Sequence, residues 1–143
     1  MATLFQAAKL LEIPTKDRAP TSAVEYVDHV ARGLPLRSLD RIAAAIAPND
    51  AGFRYRIVPK ATLARLTAKR RLNKVQGEVV TRLAEVWTDA LRVWKTDDAA
   101  RDFLNRGHPL LDGQRPIDLT LASALGAELV RDILGRLEHG SAV

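Results

Sequence analysis

Residues 73–94 read NKVQGEVVTRLAEVWTDALRVW, and this stretch decides the fold. Val79, Val80, Leu83, Val86, Trp87, Ala90, Leu91 and Trp94 recur there at helical spacing over about four turns. Asn73 followed three positions later by Gln76 has the form of a capping box, in which each side chain satisfies the other residue's backbone N–H. A long amphipathic helix beginning just after Asn73 is predicted. Trp87 and Trp94 on its apolar face read as core anchors rather than a stacking platform.

Working outward, the same periodicity continues in both directions. Downstream, Thr96 with Asp97 and Asp98 forms an N-cap with acids in the first turn, which the helix dipole favours. The turn-rich NRGHPLLDGQRP (105–116) follows, and a short helix starts at Pro116. Ser123 caps a last helix with Leu125, Leu129, Val130, Ile133, Leu134 and Leu137 inward, ending at Gly140. Upstream, residues 3–12 carry Leu4, Ala7, Ala8 and Leu11 on one side of a short helix, and a linker follows around Pro14. Ser22 and Glu25 open another helix, with Val24, Val27 and Ala31 at helical spacing and a stop at Gly33. Leu36, Leu39, Ile42, Ala43 and Ile46 mark the next. FRYRIV (53–58) alternates like a strand, yet a lone strand has no partner, so a turn or short helix is expected at 51–58. Pro59 suits the first position of a helix over 59–69, with Leu63 and Leu66 inward. The fold class is all-α.

Charge is distributed unevenly over this frame. No acid occurs between Asp50 and Glu78, whereas Arg54, Arg56, Lys60, Arg65, Lys69, Arg70, Arg71 and Lys74 all lie inside that gap. Those eight cations exceed the chain's net charge of +5, so the remainder is net negative. One polyanion-facing surface fits that asymmetry. A solvated basic helix is the bland alternative, but such helices usually carry mixed signs at i,i+4. Helices at 35–47 and 59–69 around a tight connection at 52–58 fit a helix-turn-helix, whose second helix enters the major groove. The residues expected at DNA are Lys60, Thr62, Arg65, Lys69 and Arg71. Arg65 points most directly away from Leu63 and Leu66, while Arg70 projects toward the buried side.

Composition excludes other classes. At 143 residues with 47% hydrophobic and 27% charged, the chain suits a compact globular protein. The absence of Cys rules out disulfides and thiolate metal sites. His29, His108 and His139 lack metal-ligand spacing, and the glycines are too isolated for a phosphate loop. A Ser123–His108–Asp112 site has no nucleophile-bearing turn behind it. The N-terminus lacks a cationic secretion signal, no apolar run approaches the ~18 residues a span needs, and Lys9 is the only cation before Lys16 to aid membrane insertion. A cytoplasmic protein without cofactor or membrane partner is expected.

Residues 100–140 carry a more specific pattern: Ala100, Phe103-Leu104, Asn105, Leu111, Gly113, Pro116 and Gly126, then Leu134-Gly135-Arg136-Leu137 through Gly140. This resembles the toxin-binding domain of the Xre/MbcA/ParS antitoxin family. Thr62-Leu63-Ala64-Arg65, Arg71-Leu72 and Arg82-Leu83-Ala84 resemble that family's helix-turn-helix half. The resemblance covers roughly 33–140. Phe103 stands where a Trp is usual and Asn73 where a Ser is usual; the first keeps the packing and the second still caps.

The resemblance implies an N-terminal Xre-like helix-turn-helix bundle followed by a small helical toxin-binding domain. Boundaries are expected at 1–20 (extension and linker), 21–75 and 76–143. It implies an antitoxin, not an enzyme, that blocks the NAD pocket of a cognate RES-domain toxin, an NAD-consuming or ADP-ribosyl-transferring enzyme. It also implies a homodimer within a hetero-oligomeric complex, repressing its own operon at operator DNA. The expected toxin-binding residues are Leu110, Leu111, Arg115, Arg136, His139, Gly140 and Val143, with the N-terminal extension as a rival plug. Leu111, Gly113, Pro116 and Gly126 also read as fold determinants that pack or permit turns. The competing function is a stand-alone helix-turn-helix regulator whose C-terminal half oligomerises.

Overall fold

The computed structural model describes residues 2–11, 22–66 and 71–140. Its elements are α1 (Ala2–Leu10), α2 (Ala23–Arg32), α3 (Leu36–Ile46), a 3-10 turn (Phe53–Arg56), α4 (Lys60–Leu66), α5 (Lys74–Trp94), α6 (Asp97–Asn105), a second 3-10 turn (Pro109–Leu111), α7 (Pro116–Ala122) and α8 (Ala124–Glu138). Among the described residues the sole β-type pairing is an isolated antiparallel bridge, Pro35 to Arg71. The all-α expectation holds, and 53–56 is the short helix anticipated in place of a strand.

Local chemistry starts these helices where the sequence indicates. Ser22 Oγ accepts from the Glu25 N–H (3.1 Å) at α2. The Asn73–Gln76 box is complete at α5, with bonds of 2.9 and 2.8 Å. Thr96 accepts from Ala99 at α6. Ser123 ends α7 and caps α8, accepting from the Gly126 N–H at 2.9 Å. Gly33 turns the chain between α2 and α3 at φ +104°, where a Cβ would stand 3.0 Å from the Leu72 carbonyl oxygen. The Leu72 N–H donates to the Leu34 carbonyl at 2.8 Å, so this turn is pinned to the link between α4 and α5.

Helix α5, about 31 Å long at 1.5 Å per residue, is the axis of the molecule. α1, α2, α3, α6, α7 and α8 all pack on it. Its burial is therefore wider than one stripe: Thr81, Ala84, Thr88 and Asp89 are buried together with Val80, Leu83, Val86, Trp87 and Ala90. Trp94 departs from the expected anchor role. It lies at the last turn of α5, against the Phe103 ring of α6, and is 39% exposed. On α8 the inward stripe is Ala127, Val130, Ile133 and Leu134, while Leu125 and Leu129 are exposed. On α2, Tyr26 and Val30 face the core in place of Val24 and Val27.

The N-terminal extension is part of the core. Ala7, Ala8 and Leu11 have no exposed surface. Ser38 Oγ donates to the Leu11 carbonyl (2.8 Å) and Arg41 Nε to that of Leu10, so α3 side chains satisfy the end of α1. A helix held in this way is not a free plug. The linker around Pro14 lies outside the described residues.

Arginines join the front and rear halves. Arg82 donates to the Thr120 and Leu121 carbonyls (2.7 and 2.8 Å), capping α7. Arg101 donates to the Ala45 carbonyl (2.8 Å) at the end of α3, and its guanidinium lies 5.7 Å from the Trp87 ring centroid. Arg131 on α8 bonds Asp89 (2.7 Å) and Glu85 (3.3 Å), and Arg92 bonds Asp89 (2.8 Å) and Glu138 (3.0 Å). The order of these pairs shows that α5 and α8 run parallel.

Candidate interaction surfaces

The basic segment presents a smaller set of free charges than its composition announces. Arg54 is paired with Asp40 and Arg56 with Asp118, each at 2.9 Å. α4 is anchored by buried Leu63, with Leu66 partly buried, and it carries Lys60 and Arg65 on its exposed side with Thr62 half-buried. The Lys60 ammonium lies 5.8 Å from the centroid of the Tyr55 ring, which orients it from the preceding 3-10 turn. Lys69 and Arg70 lie outside the described residues. Arg71, also expected at DNA, lies beyond α4. It sits in the extended link, bridged to Pro35, and its guanidinium donates to the Gly33 carbonyl at 2.8 Å. It remains exposed, and no acid is paired with it among the described residues.

The rear half offers two features, the 107–114 turn and the end of α8. The turn is tied by His108 N–H to Gln114 O (3.1 Å), Gly113 N–H to His108 O (3.0 Å) and Leu111 N–H to His108 O (2.9 Å). Gly107 is obligatory there, because a Cβ would fall 2.4 Å from the Gly113 carbonyl oxygen. The tie separates the two expected leucines. Leu111 is 5% exposed and packs inward, so it presents no docking surface, whereas Leu110 is 49% exposed. Behind Leu110 runs a ring ladder: Trp94 and Phe103 have centroids 5.7 Å apart, and Phe103 and His108 6.2 Å. His108 Nδ1 also accepts from the Leu110 N–H at 3.1 Å, fixing that leucine outward. Trp94 is the surface residue that periodicity missed. Its place at the end of the apolar stripe, two residues before the Thr96 cap of the next helix, was the available signal.

At the end of α8, Arg136 and His139 border a shallow depression with Arg131, Asp132 and Gly135. The His139 N–H donates to the Gly135 carbonyl (3.1 Å), and Gly140 takes φ +75°. Val143 lies outside the described residues. Arg115 is engaged elsewhere: it holds Asp118 in bidentate fashion at 2.9 Å, and the same carboxylate takes Arg56 of the front half.

Those bonds, Arg115 foremost and Arg56 second, hold the Asp118 carboxyl below the usual carboxylate range. A depressed folded-state pKa adds stability above the unfolded value, near pH 4, and that stability is lost as pH falls through the folded one. Asp118 is partly exposed, so the effect is screened. Urea midpoints recorded from pH 7 to pH 3 should therefore fall more for the natural chain than for Asp118→Asn. Parallel curves would remove the pair from the acid response.

Comparison with known families is in register with this geometry. The model described as the antitoxin Xre-like helix-turn-helix domain matches residues 25–85. The model described as the antitoxin Xre/MbcA/ParS C-terminal toxin-binding domain matches residues 82–140. The chain belongs to the Xre/MbcA/ParS antitoxin family. No curated protein matches it. The two matches meet at 82–85, inside α5, so this antitoxin's central helix serves both halves. The helix-turn-helix match also takes in α2, which the residue-level resemblance had left mostly outside. A toxin-binding domain implies a toxin partner and a helix-turn-helix implies DNA. Among the described residues no His/Cys/Asp/Glu group is arranged to hold a metal, and no helix is long and apolar enough to cross a membrane.

Proposed function

We propose that this antitoxin neutralises a RES-domain toxin by covering its NAD pocket, and that as a cytoplasmic homodimer it represses its own operon. The observation that carries the toxin side is the tied 107–114 turn, which holds Leu110 outward on the His108 ring, at the other end of the Phe103 ladder from half-exposed Trp94, within the family's toxin-binding domain. A rigid apolar knob flanked by an aromatic ring is the kind of anchor that dominates interfaces. Arg136, His139 and Gly140, followed by the segment ending at Val143, supply the polar partners suited to a pocket for a dinucleotide. Arg115 acts behind them, aligning the turn through Asp118.

On the DNA side, Lys60, Thr62 and Arg65 lie along α4, and the reading adds Arg71 of the link to α5 and Lys69, which lies outside the described residues. Arg65→Ala is expected to weaken operator binding by about 1–3 kcal/mol if the side chain holds a base. Affinity should fall with salt at a slope near −0.9 per phosphate neutralised. An operator titration unaffected by Arg65→Ala would take that side chain out of the interface. For the toxin, the test is co-purification with the product of the adjacent gene. The Trp94→Glu, Leu110→Glu double variant should lose about 30-fold or more in affinity and keep operator binding. A stand-alone regulator would bind its operator and retain no such companion.

A further inference from the structure

Among the described residues three glycines lie inside helices, and two of them have a reason within the chain. A Cβ on Gly77 of α5 would press on Val30 at 3.3 Å, and one on Gly126 of α8 would strike the α7 backbone at Leu119. Gly135 has no such reason. It sits in regular α8 backbone, and among the described residues a Cβ there meets no atom within 4 Å. Glycine in a helix interior is less stable than alanine, so the chain carries a cost here that nothing in its own fold requires.

The missing side chain leaves a notch. Arg131 and Asp132 stand four and three residues before Gly135, and Arg136 and His139 one and four residues after it. With Gly135 they line the shallow depression at the end of α8. Helical spacing sets Leu125 on the same outward side, about 15 Å toward the start of the helix, with Leu129 at its edge. Both leucines are exposed. Arg131 is taken up by Asp89 and Glu85, but Asp132 and Arg136 are uncommitted. Their i,i+4 spacing is that of Asp28–Arg32, Asp97–Arg101 and Asp102–Arg106, all of which close as ion pairs. Among the described residues Asp132 and Arg136 form none. A gap in the side-chain layer, two uncommitted charges and a run of exposed leucine on one helix face suit a second backbone at short range.

All of α8 falls inside the family's toxin-binding domain, residues 82–140, and that continuity supplies the occupant. We infer that the toxin crosses α8 at Gly135 with its own backbone, seating an apolar side chain toward Leu125 and Leu129 and a carboxylate at Arg136. This rests on the toxin reading above and names the residue that sets how closely the two chains meet.

Affinity of full-length variants for the purified product of the adjacent gene tests it. Gly135→Leu fills the notch and should weaken binding about 30-fold or more. Gly135→Ala should weaken it less, and both should keep the natural melting temperature or exceed it and hold operator as before. Ala44→Leu, exposed on α3 of the front half, adds similar bulk and should leave toxin affinity unchanged. Toxin affinity within about twofold of natural for the Gly135→Leu chain overturns the inference, and a loss in the Trp94→Glu, Leu110→Glu variant then leaves the toxin reading standing. A lowered melting temperature for Gly135→Leu also overturns it, because the space then belongs to this chain's own packing. A natural chain that does not bind the adjacent gene's product overturns the toxin reading itself.

Discussion

Gly126→Ala should be the most destabilising single change in the rear half of the molecule, although alanine is the better helix former. Gly126 lies in the first turn of α8, with its N–H fixed to Ser123 Oγ at 2.9 Å. A Cβ there would stand 2.1 Å from the Leu119 carbonyl oxygen and 2.8 Å from its carbon. Both atoms are backbone of α7, so no side chain can swing aside, and the α7–α8 corner must open. Forcing a methyl into such a contact costs about 3 kcal/mol or more, against the ~1 kcal/mol that alanine gains by propensity. That is a large share of a total stability of roughly 5–15 kcal/mol. Gly135 in the same helix is the control, since a Cβ there meets nothing within 4 Å. Gly135→Ala should be neutral or mildly stabilising in the same urea titration. Equal midpoints for the two variants would show that α7 and α8 do not approach as described.

Asp89→Ala should be the next most damaging change. Asp89 is buried in α5 and accepts from Arg92 at 2.8 Å and from Arg131 of α8 at 2.7 Å. Its removal leaves two guanidinium groups short of a partner along the seam that joins the halves. Breaking a buried pair from one side typically costs about 3–5 kcal/mol. Both arginines are 39% exposed, so solvent takes up part of the loss and about 3 kcal/mol is expected. A double-mutant cycle with Arg131→Ala isolates the pair, and a coupling energy near zero would contradict the seam.

Much of this architecture is legible from local signals. The caps at Ser22, Asn73, Thr96 and Ser123 involve residues three apart, and all four side chains accept as read, although Ser22 and Glu25 form only the serine half of the capping box expected there. What periodicity does not supply is the destination of each stripe. Leu4, Ala7, Ala8 and Leu11 mark a short helix, but its docking depends on Ser38 and Arg41, residues far away in sequence. Leu125 and Leu129 fall on a wide wheel, yet α8 packs chiefly on α5 and α7 and needs the narrower stripe from Ala127 to Leu134. Thr88 and Asp89 are buried because several helices pack on α5, and no window of its own sequence reveals that. In the interaction surfaces, Lys60, Arg65 and Leu110 are exposed as expected, whereas Leu111 belongs to the core. The Arg56–Asp118–Arg115 bridge spans separations that only the fold can close.

In the proposed division of labour, the rear half seals a toxin's NAD pocket while the front half holds DNA. The direct measurement is NAD turnover by the purified toxin from the adjacent gene, titrated with the full antitoxin chain. Turnover should fall to background at a fixed stoichiometric ratio, and the Trp94→Glu, Leu110→Glu variant should fail to suppress it while still binding operator. Undiminished turnover at saturating, folded, operator-binding antitoxin would contradict the claim.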